Sequence, residues 1–316
     1  MMSNPGKVAE GEKLMKAAEK LCAPSVLSLR FKPEWEQACP LFERAAVAFK
    51  AGKAWLPAIS ALERAAQAQE RQGSPWHAGK ALESCAACAK EAGDAQRIVD
   101  FSHRAAEMFI EAGRPLQGAD SLRKGAQLLE STDPIRALDL GCEGLDMLEE
   151  NQDSGPRNPD MYLEVINMAV RSKDWGRAVV LLLRFGEFCH NTNAHTSMAK
   201  CYLGAVVIQL YAGEAREAWA TFQDVLGVDA FMTSSAAQAA DRLFDAYRTC
   251  DADQVRDCVK SNPPFQHGLD NAIGRLAKKL PVGDLEKQGR ELGGAYAQVL
   301  NMGDGVAAEL DEDDLT

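Results

Sequence analysis

Two short stretches carry the residue types that metal binding or catalysis would need. Cys85 and Cys88 have the two-residue spacing of a zinc or redox pair, and His190 and His195 flank a polar segment typical of a turn. A structural zinc site takes four ligands, and no second pair accompanies the two cysteines. We therefore interpret Cys85 and Cys88 as small buried side chains on a helix and assign the two histidines no metal or catalytic role.

The motifs of the common catalytic sites are missing from the chain. It has no phosphate-binding GxxxxGKS/T or GxGxxG loop, no HExxH zinc motif and no GxSxG nucleophile motif. Acidic residues are numerous, but their context is typical of solvated helix faces. The sequence predicts a protein that is not an enzyme and that binds no metal or cofactor.

Composition favours an all-α protein. With 46% apolar but only 7% aromatic residues among 316, the core should consist of small side chains on closely packed helices. The net charge of −11 argues against nucleic-acid binding. No stretch resembles a signal peptide or reaches the roughly 18 apolar residues of a membrane span. We therefore expect a cytoplasmic protein that meets membranes only from the surface.

An internal repeat of 20 residues organises the first part of the chain. Turn glycines recur at Gly73, Gly93 and Gly113, with Gly52 one place early, and they suit the left-handed position that ends a helix. Alanine keeps the same period at Ala46, Ala66, Ala86, Ala106 and Ala126. Two such repeats make a helix hairpin of about 40 residues. We predict a right-handed α-solenoid of antiparallel helix hairpins, similar to tetratricopeptide repeats, with a C-terminal helical bundle.

The same pattern predicts helix starts, domains and core residues. Ser74 and Asp133 each precede a proline, as a capping side chain does before the first helical residue. We divide the chain into a hairpin region at 1–230, a bundle of shorter helices at 231–282 and a mobile acidic tail at 283–316. The large side chains predicted to fill the core are Phe42, Phe49, Leu62, Leu82, Phe109 and Leu122.

A loop at 24–33 follows the first predicted helix and combines helix-breaking residues with apolar and basic ones. Beside Arg30 and Lys32 it carries the apolar residues Val26, Leu27, Leu29 and Phe31. Such a loop can insert into a membrane interface while its basic side chains face anionic headgroups. The apolar side chains could instead pack back onto the first helix pair, and the sequence leaves both interpretations open.

Basic residues lie near several predicted helix ends, although the chain is acidic overall. In a solenoid, successive turns follow one edge, so separate charges can form a stripe that suits an acidic partner. The candidates for this stripe are Lys50, Lys53, Lys90, Arg114, Arg171 and Lys173.

The chain ends on ELDEDDLT, which supplies −5 of the net charge and places an apolar residue one position before the end. An acidic tail commonly serves solubility alone. The run can also steer the chain toward a basic partner, with the leucine as an apolar contact on arrival. The candidate contact residues are Asp311, Glu312, Asp313, Asp314 and Leu315.

The stretch FKPEWEQACPLFERAAVAFKAGKAWLPAISALERAA at 31–66 resembles the soluble NSF attachment proteins, the SNAP family, and most closely its gamma branch. IEAGRPLQGA at 110–119 and TDPIRAL at 132–138 continue the resemblance, which covers most of the chain in order and length. The acidic ending with its penultimate leucine is most similar to that of the alpha branch.

The resemblance implies a non-enzymatic adaptor. It implies that several copies of a free monomer coat a SNARE four-helix bundle of the syntaxin type, through basic residues such as Arg114. It further implies that the 24–33 loop contacts membranes of the Golgi, endoplasmic reticulum, vesicles or vacuole from the cytoplasm. Residues 311–315 would dock on the hexameric ATPase NSF, which disassembles SNAREs in vesicle-mediated transport.

One alternative function remains open at this point. A generic tetratricopeptide-like scaffold that binds chaperone or signalling peptides would share the same helix hairpins. It would give the 24–33 loop and Leu315 no role.

Overall fold

The structure is a computed structural model that describes residues 4–23, 32–150 and 159–295. These residues form helices and turns, with no β-strand among them. The chain divides into two compact units, unit 1 up to Met161 and unit 2 from Tyr162. The three-domain division with boundaries at 230 and 282 stays a prediction.

Unit 1 is a series of helix hairpins. Each helix packs against the next one in the chain, and consecutive helices run antiparallel because the turns that join α2 to α7 are short. The all-α fold built from helix hairpins is therefore confirmed. The helices are α1 (Pro5–Cys22), α2 (Trp35–Ala51), α3 (Trp55–Arg71), α4 (Pro75–Ala92), α5 (Ala95–Glu111), α6 (Pro115–Leu129) and α7 (Pro134–Glu150).

The turns repeat one hydrogen-bond pattern at 20-residue intervals. In the first, the N–H of Lys53 donates to Lys50 O over 3.0 Å and the N–H of Ala54 donates to Phe49 O over 2.9 Å. The same two bonds close the turns at positions 73, 93 and 113, and in unit 2 at 173, 193 and 213. This is the Schellman motif, whose first residue beyond the helix adopts a left-handed conformation. The period thus extends into the second half of the chain, where the sequence repeat is weak.

Lys53, and not Gly52, occupies the left-handed position of the first turn. The φ angle is 56° at Lys53 and −82° at Gly52. The assignment of Gly52 as the turn glycine was therefore wrong. Gly52 is buried instead, and an added Cβ there would lie 2.7 Å from Val8 Cγ2, so the residue is required by close packing between α1 and the α2 terminus.

The predicted core is confirmed. All six large side chains and all five in-phase alanines are buried. Polar pairs about 40 residues apart join every second helix: Arg104 Nη1 on α5 lies 3.1 Å from Glu63 Oε1 on α3, and Lys124 Nζ on α6 lies 3.1 Å from Glu83 Oε1 on α4. Within unit 1, α3 and α5 therefore lie in one layer, and α4 and α6 in the other.

The two predicted caps have different outcomes. Asp133 Oδ1 accepts a hydrogen bond from the N–H of Arg136 over 3.2 Å, as predicted. Ser74 precedes α4 but makes no side-chain cap hydrogen bond, so that prediction was wrong. The Schellman bond from the N–H of Ser74 to Gln69 O, 2.9 Å long, fixes its backbone in the preceding turn.

Unit 2 is built around one buried helix, α10, of whose 18 residues 12 are buried. Helices α9, α11, α13 and α15 pack against α10. Helices α14 and α15 have only 10 and 7 residues, but α13 has 14, as many as α8. A π-helical turn at Pro264–Gly268 follows α14. The helices are α8 (Pro159–Ser172), α9 (Trp175–Asn191), α10 (His195–Ala212), α11 (Ala215–Leu226), α12 (Asp229–Met232), α13 (Ser235–Arg248), α14 (Ala252–Ser261) and α15 (Asn271–Ala277), and residues 285–295 are helical as well.

Candidate functional site

The paired cysteines are packing residues. Cys85 and Cys88 are 0% and 2% exposed on α4, and burial raises the pKa of both thiols, which keeps them protonated. Within the described ranges, no group of three or more His, Cys, Asp or Glu side chains is arranged to hold a metal ion. The interpretation of Cys85 and Cys88 as small buried side chains is therefore confirmed.

The structure places the basic candidates of unit 1 at two opposite edges. Lys50 lies in the last turn of α2, Lys53 in the α2–α3 turn and Lys90 in the last turn of α4. Because consecutive helices are antiparallel, these positions share one edge, which we call the lysine edge. Arg114 precedes α6 in the α5–α6 turn and lies at the opposite edge, about one helix length of 25 Å away.

The lysine edge carries three ammonium groups, and the carboxylates of Glu91 and Asp94 follow Lys90 at the end of α4 and the start of α5. Side chains of Lys50 and Lys90 form no hydrogen bond or ion pair with any other residue in the described part of the chain. A carboxylate at the same edge is neutralised locally, since Asp94 Oδ2 lies 3.1 Å from Arg97 Nε. Lys50 and Lys90 therefore offer unsatisfied ammonium groups to an anionic partner.

Lys53 holds an exposed side chain on a backbone conformation that usually belongs to glycine. The equivalent positions in the next three turns are Gly73, Gly93 and Gly113, all with φ between 70° and 75°. A left-handed conformation costs a non-glycine residue about 1 kcal/mol. The 20-residue phase of these glycines is the sequence signal from which the special conformation of Lys53 could have been found.

Unit 2 repeats this feature. Lys173 has φ of 60° in the turn between α8 and α9, close to Arg171 at the end of α8. The neighbouring rings of Trp175 and Tyr211 meet edge to face, with centroids 5.4 Å apart. Arg171 and Lys173 are both exposed, so unit 2 presents its own basic turn beside an aromatic pair.

The other predicted contact residues lie outside the described residues. These are the apolar loop residues Val26, Leu27, Leu29 and Phe31, and the tail residues 311–315. Among the described helices, none has the length and hydropathy that crossing a bilayer requires.

Comparison with known proteins gives consistent matches over most of the chain. A family model described as "Soluble NSF attachment protein, SNAP" matches residues 9–266. The gamma-soluble NSF attachment protein of Arabidopsis thaliana is 32% identical over 308 residues, which is 98% of this chain and 99% of the relative. The protein of the same name from Dictyostelium discoideum is 26% identical over 279 residues, 87% of this chain and 84% of the relative. The matched residues include the lysine edge and the basic turn of unit 2.

Proposed function

Because the chain belongs to the soluble NSF attachment protein family, whose members are non-enzymatic adaptors in vesicle transport, we propose that it binds SNARE complexes on membranes and recruits NSF to them. It stimulates the ATPase activity of NSF, which drives SNARE disassembly. The observation that carries the proposal is the match along 98% of this chain and 99% of a relative named for NSF attachment.

The lysine edge supports the proposed SNARE contact. Lys50, Lys53 and Lys90 place three ammonium groups at one edge of an acidic protein, and ammonium groups suit an acidic coiled-coil bundle. Exposed ion pairs are individually weak and screened by salt. Several adaptors around one bundle would add their contacts through avidity, so weak single contacts are sufficient.

The C-terminal tail is the proposed NSF contact. Residues 311–314 are all acidic and Leu315 follows them. The acidic run steers the chain toward a basic surface, and Leu315 supplies an apolar contact that charge attraction alone does not provide. One molecule must carry both the helix hairpins that bind the SNAREs and the tail that binds NSF. Otherwise the force from ATP hydrolysis by NSF would not reach the SNARE bundle.

The 24–33 loop is the proposed membrane contact. Its four apolar residues can enter the interface while Arg30 and Lys32 remain near anionic headgroups. The protein would then act as a peripheral protein at the cytoplasmic face of Golgi, endoplasmic reticulum, vesicle or vacuole membranes.

A reconstituted particle tests the proposal. Purified chain, a soluble SNARE bundle and NSF are mixed with a non-hydrolysable ATP analogue and separated by sedimentation. We expect one particle that contains all three, and stimulated ATP hydrolysis when ATP replaces the analogue. Leu315→Ala and deletion of 309–316 should abolish stimulation while SNARE binding is retained. If the full chain links no SNARE bundle to NSF, the adaptor function is wrong. If both tail variants stimulate like the wild type, only the tail assignment fails.

A further inference from the structure

Unit 2 contains an open cavity of about 420 Å³ that the proposed adaptor function does not use. It lies where the N-terminal end of α10 meets the start of α13 and the π-helical turn at Pro264–Gly268. Its size is within the range of small-molecule sites. The three segments that form it are distant in sequence and meet only in the folded unit.

Basic and hydroxyl groups line the cavity. The nitrogen-bearing side chains are His195, Lys200 and His267, and hydroxyls come from Thr196 and Ser235. None of the described lining residues is acidic, although acidic residues outnumber basic ones by 46 to 35 in the whole chain. In the described part of the chain, Lys200 and His267 form no side-chain hydrogen bond or ion pair. The cavity therefore presents donors that have no partner of their own.

The start of α10, whose residues His195 and Thr196 line the cavity, has backbone donors of its own. Ala194 is the residue before the helix, and no side chain caps this end. The first N–H groups of a helix have no acceptor within the helix, and the helix dipole favours an anion there. At α10 the N–H of Ser197 already donates to Ala194 O over 3.0 Å, which leaves the N–H groups of His195 and Thr196. At α13 the corresponding end is satisfied differently, because Ser234 Oγ accepts from the N–H of Ala237 over 3.1 Å. The uncapped end is thus the one beside Lys200 and His195.

The walls of the cavity are held in place. Phe231 and Phe265, which flank the lining segments, are 0% and 1% exposed. Asn262 Oδ1 accepts from Arg242 Nη1 over 3.0 Å, and Gln266 Nε2 donates to Val259 O over 2.8 Å, which fixes the π-helical turn. These anchors fix the backbone segments that carry the lining, whereas the side chains of Lys200 and His267 are exposed.

We propose that this cavity binds a phosphorylated small molecule of the size of an inositol phosphate. The phosphoryl group would meet Lys200, the two imidazoles and the first N–H groups of α10, since a phosphoryl group accepts several charge-assisted hydrogen bonds at once. Ala199, Leu203 and Pro264 supply an apolar wall for the carbon ring. The same chemistry is offered by a soluble inositol phosphate and by the headgroup of a phosphoinositide lipid.

Calorimetric titration of the full-length chain with inositol trisphosphate tests the site, with unphosphorylated inositol as the ligand control. Lys200→Ala should weaken binding about tenfold, since one charge-assisted hydrogen bond is lost. Lys279→Ala, an exposed lysine of the same unit outside the cavity, should bind like the wild type. Ser235→Glu should abolish binding by charge repulsion without loss of thermal stability, because an acidic residue is favourable in the first turn of α13.

Vesicles distinguish the two sources of the phosphoryl group. The wild type and Lys200→Ala are each sedimented with phosphoinositide-containing vesicles and with phosphatidylserine vesicles. If the wild type co-sediments only with the phosphoinositide-containing vesicles and Lys200→Ala loses this co-sedimentation, the cavity binds a lipid headgroup. Binding of the soluble probe alone assigns it to a free metabolite. Equal affinity of wild type, Lys200→Ala and Ser235→Glu, or no binding of any phosphorylated probe, overturns the proposal. The adaptor function is measured separately with SNAREs and NSF, so failure of one does not imply failure of the other.

Discussion

Lys124 on α6 donates a hydrogen bond to Glu83 on α4, which lies 41 residues earlier in the chain, with Nζ 3.1 Å from Oε1. The same ammonium group lies 2.8 Å from Asp120 Oδ2. Burial by itself would lower the pKa of Lys124, but hydrogen bonds to Asp120 and Glu83 raise it. One partly buried cation thus joins carboxylates from two successive hairpins, which makes it a specific link in the solenoid.

Lys124→Met should lower the free energy of unfolding by about 1 kcal/mol, because Glu83 is left without its interhelical partner. Solvent screening keeps the effect small, since Lys124 is 39% exposed. Urea denaturation measures the difference. The matched control is Lys7→Met, which removes an exposed pair with Glu10 within α1 and should leave stability unchanged. Equal effects of the two substitutions would mean that Lys124 does not link the hairpins.

The pKa of Asp120 determines how the interaction between Lys124 and Asp120 responds to pH. Burial alone would raise the pKa of Asp120, but hydrogen bonds from Lys124 and Arg123 lower it. Since the pKa is lower in the folded state, the contribution to stability is present above the unfolded value of about 3.9 and is lost as pH falls through the folded value. Asp120→Asn should therefore destabilise the protein at pH 7 and have a progressively smaller effect below about pH 4. A pH-independent difference in urea denaturation would contradict this account.

Gly125 is required by the close approach of α6 to α5 and α7. An added Cβ would overlap Ser102 Oγ and lie 2.7 Å from Leu140 Cδ2. Ser102 cannot easily move, because its hydroxyl donates to Ile98 O over 2.7 Å. Gly125→Ala should therefore cost about 2 kcal/mol of unfolding free energy. The control is Gly176→Ala, at an open position near the start of α9, which should leave stability unchanged or raise it. Thermal denaturation measures both variants, and equal melting temperatures would contradict the packing argument for Gly125.

Lys53 should show opposite effects on stability and on partner binding. A non-glycine residue is strained in the left-handed conformation, and Lys53→Gly removes this strain. The variant should therefore raise the free energy of unfolding by about 0.5–1 kcal/mol. The same variant should bind SNARE bundles severalfold more weakly at low salt, because the lysine edge loses a charge. Asn193→Gly changes an equivalent left-handed turn in unit 2 and should leave SNARE binding unchanged. Wild-type SNARE affinity of Lys53→Gly would remove Lys53 from the proposed contact set.

The 24–33 loop gives a prediction for membranes. The triple variant Leu27→Ser, Leu29→Ser and Phe31→Ser should sediment less with liposomes than the wild type, because it removes most of the apolar surface available for interfacial insertion. SNARE binding in solution is the control and should be retained. Unchanged liposome binding would favour the alternative in which these side chains pack onto the first helix pair.

Local patterns were sufficient for a large part of the fold. The 20-residue period predicted helices, short turns and the burial of Ala46, Ala66 and Phe109, because burial in a helix repeats with the helical period and can be read without knowledge of the partner helix. The buried state of Cys85 and Cys88 was predicted separately, from the absence of a second ligand pair and the apolar character of cysteine. The period wrongly predicted Gly52 as the left-handed turn residue. Close packing against α1 and a left-handed turn both favour glycine, and the sequence does not distinguish these two causes.

The sequence by itself determined the helix hairpins, their repeat, the core residues and the resemblance to the adaptor family. Only the tertiary structure decided that Lys50, Lys53 and Lys90 share an edge from which Arg114 is excluded, because that depends on the direction in which each helix runs. It also brought Lys200 and His267 to one cavity. Such sites depend on contacts between distant segments, which a local pattern does not show. Helix formation and burial depend on spacing within one segment, which a local pattern does show.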